Sequence, residues 1–121
     1  MTSIYADIRL FYGDKEMQLS IAVNRSAQSL ALNETWQEAL QLPVVSQTMI
    51  TFPNGDVQMC DVAGPVSLRW LDRQIHCTVL ILPGDTAPYL GSGPLLELGA
   101  AVDMQGKQLV RGSKDDGKIY L

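Results

Sequence analysis

Three adjacent polar residues, Asn24-Arg25-Ser26, close an apolar run that begins at Leu19, so an amide, a guanidinium and a hydroxyl stand where a strand ends. An amide can hold a water or a carbonyl by hydrogen bonding, but at ordinary pH it takes no proton from either. A guanidinium grips carboxylates in bidentate fashion, and a serine becomes a nucleophile only beside a base. The lone imidazole, His76, falls inside a strand-like run and reads as a strand histidine satisfied by its neighbours. Cys60 and Cys77 lack CxxC spacing, and with a single His they do not complete a four-ligand zinc site; neither a metal nor another cofactor is expected.

The rest of the composition narrows the classes further. A chain of 121 residues with 46% apolar and 18% charged content fits one globular domain. Its net charge of −4 argues against a nucleic-acid surface, and its scattered basic residues offer no polybasic membrane anchor. No apolar run approaches the ~20 residues a membrane-spanning helix needs. The opening Met1-Thr2-Ser3-Ile4-Tyr5 has no basic segment followed by an apolar one, so a cytoplasmic location and reduced thiols are expected.

Most of the positioning elements read as strands. Ile4, Ala6, Ile8 and Leu10 alternate with polar residues, Gly13-Asp14-Lys15 turns the chain, and Met17, Leu19, Ile21 and Val23 return as the second arm of a hairpin. Asn33 can cap a helix over 34–41 whose apolar face is Trp36, Ala39 and Leu40, with Pro43 marking its end. Met49–Phe52 and Val57–Val62 flank Pro53-Asn54-Gly55-Asp56, a hairpin signal. Val66–Trp70, a turn at Asp72-Arg73, and Gln74–Leu82 follow as a further pair of strands; Thr78, Leu80 and Leu82 give the last of these a second apolar face. Pro94 opens a short helix over 94–98 that Gly99 ends, Ala100–Asp103 and Gln108–Val110 pair, and residues 111–121 form a flexible tail. The expected fold is mainly β, a closed barrel or folded sheet with two short helices, in one domain over 1–110.

This order of elements over residues 4–110 resembles the retropepsin-like aspartic protease family, in particular its small bacterial members. Val23 and Ala27 match the flanks of that family's Asp-Thr-Gly signature, while Asn24, Arg25 and Ser26 occupy its three positions. Phe52, Pro53, Asn54, Gly55 and Asp56 correspond to the family's flap hairpin, and Tyr89-Leu90-Gly91 with Pro94–Gly99 to its apolar-apolar-Gly and following helix. In the family each chain of a homodimer supplies one aspartate, and the pair shares a proton. The resemblance implies that this site has lost its acid: Asn24 cannot act as the base, Arg25 is too long for the threonine's cross-dimer bond, and Ser26 adds a Cβ where glycine turned.

The implied function is that of a pseudoprotease, binding an extended peptide or protein segment as an adaptor, assembly factor or regulator. Arg25 would incline it toward an acidic partner. Two alternatives stand beside this: an aspartic endopeptidase in which Asn replaces the catalytic Asp, which explains Asn24 but not Arg25 or Ser26, and a purely structural dimerisation domain. The expected assembly is a homodimer held by the terminal segments Thr2–Ala6 and Lys118–Leu121, with a monomer as the other possibility.

Overall fold

The computed structural model describes residues 4–112 and is mainly β, with two short helices. Strands β1 (Tyr5–Tyr12) and β2 (Lys15–Val23) form the expected hairpin, in register from Tyr5↔Ala22 to Tyr12↔Lys15. Gly13 in its two-residue turn sits at φ 61°, the left-handed region glycine enters freely. Alternation sends Ala6, Ile8 and Leu10 inward together with Ile21.

The chain then makes a strand that its sequence did not announce. β3 (Leu30–Asn33) is buried on both faces, lies parallel to β6 (Arg73–Leu82) and runs antiparallel to the two-residue β7 (Tyr89–Leu90). Helix α1 (Glu34–Leu40) follows directly: Asn33 Oδ1 accepts from Trp36 N at 3.0 Å, and Gln41 in the left-handed region closes the far end. The apolar face expected of α1 is narrower in the structure, since Leu40 is buried, Trp36 half-buried and Ala39 exposed.

β4 (Val44–Thr51) starts earlier than its apolar residues suggested, and β5 (Val57–Trp70) is one strand where two, Val57–Val62 and Val66–Trp70, were expected on either side of Gly64-Pro65. A register shift between Ala63 and Val66 absorbs that dipeptide, with Gly64 at φ 106°. The turn into β6 is Leu71-Asp72, as Trp70 pairs with Arg73. Helix α2 (Ser92–Leu98) begins two residues before Pro94 and ends at Gly99 in the left-handed region. β8 (Ala100–Asp103) and β9 (Gln108–Arg111) make a separate pair. Arg111, expected in the tail, belongs to β9, and its guanidinium 2.6 Å from Asp72 holds that carboxyl below its ordinary range. The remainder of the proposed tail, residues 113–121, lies outside the described residues, as does Lys118–Leu121 of the expected dimer contact.

The large sheet has the order β1-β2-β7-β3-β6-β5-β4, and β1 also pairs with β5 through Arg9–Phe11, so the strands close into a ring from which β4 projects. The ring packs around Leu10, Leu30, Leu68, Leu90 and Val79, with Leu40 and Leu98 brought in by the two helices. Ile4, in the N-terminal segment assigned to a dimer, accepts a hydrogen bond within its own chain from Val23 N at 2.8 Å. No helix among the described residues is long and apolar enough to cross a membrane.

Candidate functional site

β2 ends beside β7, with Ala22↔Tyr89 and Val23↔Leu90 in parallel register, so the polar triplet emerges directly against the apolar-apolar-Gly segment. Asn24 N donates to Leu90 O at 2.9 Å, and Asn24 Oδ1 accepts from Ser26 N at 3.0 Å. That second bond is an Asx turn, the local alternative an asparagine side chain offers the backbone. The connection is reinforced from the other side, where Ser92 N donates to Ala27 O and Gly93 N to Gln28 O, both at 2.8 Å. Gly91 permits this approach: a Cβ there would fall 2.6 Å from the Gln28 carbonyl carbon and 2.7 Å from Ser29 N.

Across from this loop stands the β4–β5 hairpin. Its tip is a five-residue loop, Phe52–Asp56, wider than the two-residue turn an Asn-Gly pair most often makes. Phe52 N donates to Asp56 O at 2.8 Å, and Gly55 N to Phe52 O at 2.8 Å. Asn54 Nδ2 donates to Asp56 Oδ2 and Asn54 Oδ1 accepts from Asp56 N, both at 3.0 Å, so the tip's polar side chains are engaged within the tip. Gly55 takes φ 93°, which a side chain would resist.

Loop and hairpin enclose a cleft of about 680 Å³. Of the residues singled out from sequence, Asn24, Ser26, Phe52 and Pro53 line it. Asn54, Gly55 and Asp56 form the tip without lining the cleft. Arg25 turns away, its Nη2 3.8 Å from Met104 Sδ. The acidic preference that Arg25 suggested therefore has no side chain in the cleft to carry it.

Sequence reasoning missed most of the floor. Thr78, Leu80 and Leu82 of β6 project from its second face, with Tyr89 and Val62 beside them and Thr48 and Ile50 descending from the hairpin. The signal that could have found them was the same-face spacing of Thr78, Leu80 and Leu82 opposite a face already assigned to the core. Ala31, Cys60, Leu80 and Leu82 form a small buried cluster under this floor, against which Ile50, Phe52 and Tyr89 pack. Burial raises the Tyr89 phenol and the Cys60 thiol above their ordinary pKa values, with Cys60 adding to the first and Asp61 to the second. Hydroxyls and amides, among them those of Gln28, Ser29, Thr48, Thr51, Thr78 and Thr86, are interspersed with the apolar lining, and none of the lining residues is Asp, Glu, His, Lys or Arg.

Elsewhere His76 Nδ1 lies 2.9 Å from Ser67 Oγ, a cross-strand pair on the exposed side of the sheet, consistent with a structural histidine. Both cysteines are free thiols. Among the described residues no three His, Cys, Asp or Glu side chains gather where they could hold a metal ion. No protein-family model matches the chain, and no curated protein matches it.

Proposed function

We propose that this chain is a retropepsin-type domain without a catalytic dyad, which binds an extended, uncharged protein segment in the cleft between the Asn24–Ser29 loop and the β4–β5 hairpin. One observation carries the reading: the elements that would hold a protease's acid, its floor and its flap converge on a single cleft, and no carboxylate lines it. Hydrolysis by a carboxylate pair needs one member ionised to take water's proton and one protonated to donate. Asn24 does neither, and its carbonyl oxygen is already engaged by Ser26 N.

What remains suits recognition. An extended segment lying between loop and hairpin can satisfy its main chain on the rim while one apolar side chain enters the hollow over Leu80 and Leu82. A charged side chain there would give up its hydration with no partner of opposite sign among the lining residues. Such a domain would act as an adaptor, assembly factor or regulator. A cytoplasmic setting and a homodimer go with the proposal, the former in keeping with two free thiols.

The test joins binding and hydrolysis. The native chain, N24D and T78R are each incubated with denatured protein at acid and neutral pH and screened against a library of uncharged and charged extended peptides. The expected result is no cleavage by the native chain or by N24D, and binding of uncharged, apolar-containing peptides that T78R abolishes by placing a guanidinium in the hollow. Cleavage blocked by a transition-state inhibitor of aspartic proteases would overturn the proposal, as would peptide binding that T78R leaves intact.

A further inference from the structure

The β4 strand has a second edge that no strand among the described residues covers. Natural sheets guard such edges with lysine, proline, inward charges or very short strands, because a row of open N–H and C=O groups pairs readily with another strand. β4 runs for eight residues, V-V-S-Q-T-M-I-T, with no charge and no proline. A register shift between Val44 and Ser46 disturbs its start and leaves residues 46–51 regular.

One face of the β4–β5 hairpin carries a short apolar stretch, bordered by Thr51 and by the Gln47–Asp61 pair. Met49 and Met59 are directly opposed across β4 and β5, Val57 stands opposite Thr51, and all three large side chains are more than half exposed. We propose that this edge is a self-association surface, on which a second copy of the chain pairs β4 with β4 in antiparallel fashion about a two-fold axis at Met49.

The choice of a second copy rests on how the register repeats. A two-fold axis at Met49 turns the Met49↔Met59 pair into a row Met59-Met49-Met49-Met59 across a four-stranded ribbon, burying on one face what each hairpin exposes alone. A chain of net charge −4 repels its own copies, and this contact adds no direct like-charge pair to that repulsion because residues 44–51 carry no charge. The nearest acids are held within their own chain, Asp56 by Asn54 and Asp61 by Gln47. A strand pair with one row of methionines falls below the usual size of a stable interface, so association in the micromolar range is expected. Met49 and Thr51 also line the cleft, so the surface shares β4 with it, and the association is to be read on the chain with no peptide added.

Sedimentation of the native chain from about 1 to 100 µM should show a reversible monomer–dimer equilibrium. In the same range, hydrogen exchange should slow at the amides of residues 46–51 as concentration rises, a readout that needs no variant. M49K sets two like charges face to face at an exposed position and should weaken dimerisation roughly tenfold or more, while L96K, on exposed Leu96 of α2, should leave it unchanged. A monomer throughout the range would overturn the proposal. So would a dimer equally strong in M49K, or concentration-dependent protection confined to residues outside β4.

Discussion

Replacing Gly91 with alanine tests whether the candidate site is held together by close backbone approach. Gly91 has φ −87°, a conformation alanine adopts without strain, so any loss of stability comes from packing alone. The added methyl would sit 2.6 Å and 2.7 Å from main-chain atoms of Gln28 and Ser29, which cannot swing aside as a side chain can. Forcing them apart costs about 1–3 kcal/mol by the usual scale of overpacking. Moving the loop also endangers the bonds from Ser92 N to Ala27 O and from Gly93 N to Gln28 O, each worth about 1 kcal/mol net. The sum, about 3–5 kcal/mol, is a large part of the ~5–15 kcal/mol that holds a domain folded. Urea denaturation of G91A against the native chain measures it. G13A supplies the contrast: at Gly13 a Cβ meets nothing within 4 Å, and the cost of about 1 kcal/mol arises from φ 61° alone. If G91A lost no more than G13A, the loop would not be packed on Gly91, and the geometry of the cleft wall would be wrong.

Two further perturbations probe the frame around the site. N33A should cost about 2–4 kcal/mol in urea denaturation, because it removes the cap on Trp36 N and leaves the Thr86 carbonyl, which Asn33 Nδ2 reaches at 2.9 Å, without that donor; N33D, which keeps the acceptor and loses the donor, should fall between. Burial, reinforced by the Glu97 carboxylate, pushes the Cys77 thiol up to about 11 from 9.0. The folded state thus holds that proton more tightly than the unfolded chain, so the associated stability is intact below pH 9 and declines between pH 9 and 11. The urea midpoint should drop across that window in the native chain and drop less in C77V; equal slopes would refute the assignment.

Much of the frame was legible in the residues themselves. The alternation of Ile4 to Leu10 and of Met17 to Val23, with Gly13-Asp14 between, specifies a hairpin because period two and a left-handed turn residue are local properties. Asn33 as a cap and Gly99 as a stop act within one helical turn and were equally readable. The types of chemistry at Asn24-Arg25-Ser26 were plain too: an amide there supplies no base, whatever surrounds it.

Other features were decided only by tertiary contact. Leu30-Ala31-Leu32-Asn33 carries no period of its own, being buried on both faces, and is a strand because β6 and β7 lie on either side of it. Gly64-Pro65 looks like a break, yet β5 passes through it since β6 continues its ladder beyond the irregularity. The direction of Arg25 depended on Met104, far along the chain, and the cleft floor on how Ile50, Phe52 and Tyr89 pack over the second face of β6. Local pattern fixes which residues can form a strand or a turn; which strands become neighbours, and therefore which side chains share a cleft, is set by closing the ring, a contact between segments that no short window of sequence contains.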